Sequence, residues 1–131
     1  MDWKPLRRDD ILMGRETEFP LDASLEKNLF ALLNRINLFG KLYWIKTIKN
    51  LEVNSGYRPG YYNLKAHGAL NSAHLYCMAV DLHDMDGDIC DYLEANVALL
   101  EEIDMYWENP KSTPTWIHLD IRKRGHRIFN V

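Results

Sequence analysis

Apolar positions recur along this chain with two different periods. Leu25, Leu29, Leu32, Leu33 and Ile36 fall at i, i+4, i+7, i+8 and i+11, a single helical stripe. Asp22 can cap the start of that helix and Gly40 can end it. Residues 41–50 then read as a short second helix. From Cys77 to His83 the period drops to two. Met78, Val80 and Leu82 share one face, while Cys77, Ala79, Asp81 and His83 share the other. The same alternation runs through 115–121. Ile117, Leu119 and Ile121 lie on one side, and Trp116, His118 and Asp120 on the other. A strand of that kind covers a core with one face and presents chemistry with its opposite face.

Weaker signals complete the layout. Leu51, Val53 and Ser55 alternate with polar residues and predict a strand over 51–55, ending in the turn Gly56-Tyr57-Arg58-Pro59-Gly60. Residues 61–71 read as a loop or short helix around Asn63, broken at Gly68. Ile89, Leu93, Val97 and Leu100 mark another amphipathic helix, for which Asp88 is the expected cap. Residues 103–108 read as a strand closed by Asn109-Pro110, and 126–130 as an edge strand after an Arg124-Gly125 turn. The expected fold class is α+β: one small domain over 1–131, with helices packed on one side of a mainly antiparallel sheet. Residues 1–20 form an N-terminal arm laid over the core, which spans 21–131.

Composition narrows the function classes. Hydrophobic residues make up 47% and charged residues 27%, ordinary globular usage that excludes a disordered chain. Sixteen Lys and Arg against nineteen Asp and Glu give a net charge of −3, so no basic excess favours nucleic acid. No run approaches the ~20 apolar residues of a membrane span, and no membrane partner is expected. The first residues hold no apolar signal-peptide segment, so the protein is expected to be made in the cytoplasm. Two cysteines, Cys77 and Cys90, do not make a disulfide framework. The sequence does not set an oligomeric state.

The candidate chemistry lies on the polar strand faces. His74 precedes one strand, Asp81 sits on its non-core face, and His118 lies on the polar face of another. Two imidazoles and a carboxylate can supply three ligands to Zn2+ and leave a fourth position for water. Zinc lowers the pKa of such a water to about 7 and polarises a carbonyl.

The segment Ser72-Ala-His74-Leu-Tyr-Cys-Met-Ala79-Val-Asp81 resembles the S-x-H-x-x-G-x-A-x-D signature of the zinc D-alanyl-D-alanine carboxypeptidase family. That family shares its fold with the Hedgehog signalling domain. Ser55-Gly56-Tyr57-Arg58 with Asn63, and Trp116-Ile117-His118, are similar to its S-G-Y-R…N and W-x-H segments. Three motifs in order span residues 51 to 121. The resemblance implies a zinc peptidase that hydrolyses peptidoglycan stem peptides, as a carboxypeptidase or an endopeptidase. It makes His74, Asp81 and His118 the metal ligands. Arg58, Ser72 and Trp116 are expected on the substrate side: Arg58 holds a carboxylate or carbonyl, and Ser72 braces the loop that carries His74. Many members carry an acid three residues before the last histidine, where this chain has Thr115. Other members, and the Hedgehog domain, place a glutamate at the end of the preceding strand. Met105-Tyr106-Trp107-Glu108 resembles that arrangement, which makes Glu108 the expected general base and Asp120 the second candidate or a group that orients an imidazole.

Other departures open alternatives. Cys77 stands in place of the signature's glycine and, on the same face as Asp81, could crowd the metal or ligate it, although a structural role is the expected one. His83, two residues after Asp81, is a further possible ligand. Asp84-Met85-Asp86-Gly87-Asp88 resembles a calcium loop but lacks its glycine and distal glutamate at the required places, so a solvated turn is expected. The absence of a signal segment suits a phage or prophage lysis enzyme. The alternative to an enzyme is a catalytically inactive, zinc-bearing binding or structural domain of the same fold.

Overall fold

The computed structural model describes residues 2–131. Its centre is a five-stranded sheet in the order β1-β2-β4-β3-β5, with β1 Val53–Ser55, β2 Ala79–His83, β3 Tyr106–Glu108, β4 Trp116–Asp120 and β5 Ile128–Phe129. β1, β2, β4 and β3 pair antiparallel in turn, and β5 joins β3 in parallel. The α+β expectation describes this architecture, with one parallel pair at the edge.

The register explains how the sheet serves two roles. Val80 and Leu82 of β2, Ile117 and Leu119 of β4 and Trp107 of β3 face one way and are buried in the core. The core's other side is the helix α2, Ala23–Thr47, which buries Leu29, Leu32, Ile36, Phe39 and Tyr43. Asp22 caps it by accepting from the Leu25 amide at 2.8 Å. Its end lies beyond the expected one. Gly40 sits inside the helix, where a Cβ would come within 3.0 Å of the Leu51 side chain. That glycine makes room for the segment leading into β1, and the helix stops only at Ile48, in the left-handed region at φ 59°. Residues 23–47 are thus one helix and not two.

The helical segment after β2 is also divided differently. It splits into α3, Asp88–Ala95, and α4, Leu99–Glu102. Its cap is Asp84, whose carboxylate accepts from the amides of Ile89 at 2.8 Å and Cys90 at 3.0 Å. Gly87, at φ 79°, turns the chain so that Asp84 reaches those amides. Asp88, the expected cap, pairs instead with Lys49.

The N-terminal segment is part of the core. Within α1, Arg8–Leu12, Ile11 and Leu12 are fully buried. Gly56 passes so close that a Cβ there would stand 2.3 Å from the Ile11 carbonyl oxygen, which accepts from the Tyr57 amide at 2.8 Å. Among the described residues no helix is long and apolar enough to cross a membrane.

Candidate metal centre

Strand register brings together residues distant in sequence. Asp81 of β2 lies opposite His118 of β4. Tyr106 lies opposite Asp120 and Trp107 opposite Leu119, and the same register continued by one residue sets Glu108 beside His118. Asp81, His118 and Glu108 therefore form a row across three adjacent strands, on the face away from α2. His74 joins them from a short 3-10 turn, Ala73–Tyr76, that precedes β2. Ser72 caps that turn by accepting from the His74 amide at 3.2 Å. The geometry thus gives Ser72 a bracing contact.

His74, Asp81 and His118 are all buried, and one ligand atom of each lies within 4.8 Å of the others. Each ring has one nitrogen held from behind. His74 Nδ1 is 2.8 Å from the Gly56 carbonyl oxygen, and since a carbonyl only accepts, Nδ1 carries the proton. Nε2 is left with a lone pair. It stands 3.3 Å from Asp81 Oδ1 and is buried with no hydrogen-bond partner among the described residues. A buried nitrogen lone pair beside a carboxylate needs a cation or a proton. His118 Nε2 is held by Asp120 Oδ2 at 2.8 Å, and Nδ1 faces Asp81 Oδ1 at 2.9 Å. Two nitrogens and a carboxylate oxygen, each ring fixed by its other nitrogen, form a donor set that fits zinc.

The electrostatics agree with that geometry. Burial disfavours a charged His74 and holds its imidazole below the ordinary value. Burial also opposes charge on His118, but the bonds to Asp120 and Asp81 outweigh it and raise the ring to about 9. Burial opposes ionisation of Asp81 as well, yet the two imidazoles hold its carboxyl well below the usual carboxylate range. The two flanking carboxylates therefore favour a proton on His118.

Around this group stand two half-buried charged residues. Glu108 is raised above an ordinary glutamate, by burial first, with His118 pulling the other way. Arg58 is lowered by burial, and Asp81 partly offsets this. Its backbone amide donates to the His74 carbonyl at 3.0 Å, and its Nε is buried without a hydrogen-bond partner among the described residues. Trp116 is half-buried on the same sheet face, opposite His83.

The remaining candidates lie elsewhere. Cys77 is not on a strand face: it ends the 3-10 turn at φ 56°. Its side chain belongs to the hydrophobic core, and burial pushes the thiol up to about 12. A position in the left-handed region favours glycine, which accounts physically for the glycine of the signature. His83 is exposed at the end of β2 and outside the ligand group. Thr115 is exposed. Asp120 is fully buried and holds His118 from behind. The Gly56 carbonyl and the Asp120 partner Arg124 went unread in the sequence. The first lay within a motif, whereas no periodicity marks the second. A surface hollow between the N-terminal segment and the end of α2, lined by Trp3, Tyr43, Lys49 and His83, is separate from this group.

The buried His-Asp-His group could hold a metal ion at one sheet face, with a glutamate beside it and an arginine at its rim. Comparison with protein families agrees: the Peptidase M15 model matches residues 28–120, most of the chain and all three ligand candidates. The chain belongs to the Peptidase M15 family, a zinc D-Ala-D-Ala carboxypeptidase-like family. No match is found among curated proteins.

Proposed function

We propose that the protein is a zinc-dependent peptidase that hydrolyses peptidoglycan stem peptides. The observation that carries this reading is the row of Asp81, His118 and Glu108 on adjacent strands, completed by the unpartnered Nε2 of His74. His74 Nε2, Asp81 and His118 Nδ1 would hold the metal. Bound zinc supplies a Lewis acid that polarises a carbonyl and lowers the pKa of water to about 7.

The chain's own residues do the rest. Glu108 accepts the proton of the attacking water and returns it to the leaving amine. Its raised pKa moves it toward the working range of a general base. Arg58, beside Asp81 and with its Nε free, takes a substrate carboxylate or carbonyl through its planar fork. Ser72 keeps the His74 turn in place, and Trp116 offers an aromatic wall on the same face. Such a substrate sets the enzyme's work at the cell wall.

A second reading, an inactive domain that only holds zinc, is favoured by Thr115, an exposed threonine where the resemblance leads one to look for an acid. Digestion of purified peptidoglycan by the zinc-loaded protein, followed by mass analysis, separates the two. New fragments are expected. Loss of a terminal alanine would mean a carboxypeptidase, and larger fragments an endopeptidase. Intact stem peptides at full zinc occupancy would leave the inactive domain.

A further inference from the structure

The family match ends at Asp120, yet the segment beyond it builds directly on the metal centre. Arg124 donates through Nη2 to Asp120 Oδ2 at 2.6 Å and through Nε to Oδ1 at 3.4 Å. The same Oδ2 faces His118 Nε2. Asp120 is fully buried, and a buried carboxylate needs a compensating charge and donors. Arg124 itself is only partly buried, so it bridges from solvent to the inner carboxylate.

Arg124 also meets the other support of His118. Its guanidinium lies 3.9 Å from the centre of the Phe129 ring. That ring in turn packs edge-on against His118, with centroids 5.9 Å apart. Phe129 sits on β5, opposite Glu108 of β3. One side chain therefore touches the group that holds the His118 nitrogen and the group that packs its ring.

We propose that Arg124 is a positioning residue of the metal centre. It locks the Asp120 carboxylate, so that Asp120 fixes His118 Nε2 and reserves Nδ1 for the metal. The proposal rests on the metallopeptidase reading. Its physical basis is the two-pronged contact: an arginine fork restrains both carboxylate oxygens, whereas a lysine point charge restrains one. Without Arg124 the buried carboxylate would lose one of its two partners and its fixed rotamer, and His118 would lose a firm support.

Zinc affinity measured by competition with a chromophoric chelator tests this in the full chain. Arg124→Ala is expected to bind zinc about 10–100-fold more weakly, the usual effect of losing a partner behind a ligand. Arg124→Lys should recover part of the loss. The double variant Asp120→Asn with Arg124→Ala should bind no more weakly than Asp120→Asn alone, because both act through one contact. A merely structural Arg124 would lower the melting point without that coupling. Wild-type affinity in Arg124→Ala, or losses that add fully in the double variant, would overturn the positioning role. Should the alanine variant not fold, Arg124→Gln, which keeps the stem and a donor, replaces it with the same expected and overturning results. A wild-type chain that binds no zinc is a different outcome: it overturns the metallopeptidase reading and the positioning role together.

Discussion

Replacing Gly56 with alanine should damage the fold and the metal centre at once. The added Cβ would stand 2.3 Å from the Ile11 carbonyl oxygen and 2.9 Å from its carbon. A carbon–oxygen approach needs roughly 3.3 Å, so one backbone must yield by about 1 Å. No flexible side chain can absorb this, since both partners are main chain. The Tyr57 amide bond to Ile11 would be strained or lost, at about 0.5–1.5 kcal/mol. Overpacking against the buried Ile11 and Leu12 adds roughly 1–3 kcal/mol. Together the expected loss is roughly 2–4 kcal/mol. At about 4 °C per kcal/mol for a chain of this size, the melting midpoint should fall by roughly 8–16 °C.

The same shift moves the Gly56 carbonyl that holds His74 Nδ1 at 2.8 Å. Zinc affinity should therefore drop about 10–100-fold. Thermal melts with and without zinc, and chelator competition, measure the two effects. Gly60→Ala is the control: nothing lies within 4 Å of its Cβ, and little change is expected. A Gly56→Ala protein with wild-type melting would refute the packing argument. One that melts early but binds zinc as tightly as wild type would refute the link from this carbonyl to the ligand.

Other expectations follow from the centre. Arg58→Lys should keep zinc but lose turnover, because lysine cannot make the bidentate contact; unchanged turnover would make Arg58 a turn residue only. Cys77→Gly relieves a left-handed residue but loses a buried thiol, so stability should stay within about 1 kcal/mol of wild type. Full zinc content is expected there as well, and loss of zinc would place the thiol among the ligands. With its pKa raised to about 9, the His118 ion pairs of the metal-free protein stabilise it fully below the ordinary histidine value of about 6.5. That contribution fades as pH rises through about 9. Zinc must displace the His118 proton, so its affinity should tighten over the same window. Affinity that stays flat with pH would contradict a ligand role for His118.

The site was more legible in the sequence than the chain's path. Period-two alternation put Asp81 on one strand's polar face, and His118 with Asp120 on another's. Any register that buries Val80 with Ile117 and Leu119 leaves those polar residues together on the far face. Glu108 came from the family resemblance instead, which points to a glutamate at the end of the strand before His118. What failed was punctuation. Gly40 looks like a helix end, but its lack of a side chain serves Leu51 across the interface, a contact no local pattern records. In sequence Cys77 extends the alternation of β2, but its backbone turns left-handed just before the strand begins. Asp88 had the right type for a cap, but Gly87 bends the chain and hands the role to Asp84. The parallel pairing of β5 with β3 and the bond from Arg124 to Asp120 depend on a C-terminal segment whose few apolar positions predict an edge strand but no partner.

Hydrolysis by the proposed mechanism turns on Glu108 beside zinc held by His74, Asp81 and His118. The decisive measurement is hydrolysis of purified stem peptides, followed by mass spectrometry, for wild type and Glu108→Gln at equal zinc content. Wild type should release fragments, and the variant should do so about 10²–10⁴-fold more slowly, the usual cost of losing a general base. Equal turnover in the two proteins, or none from zinc-loaded wild type, would contradict it.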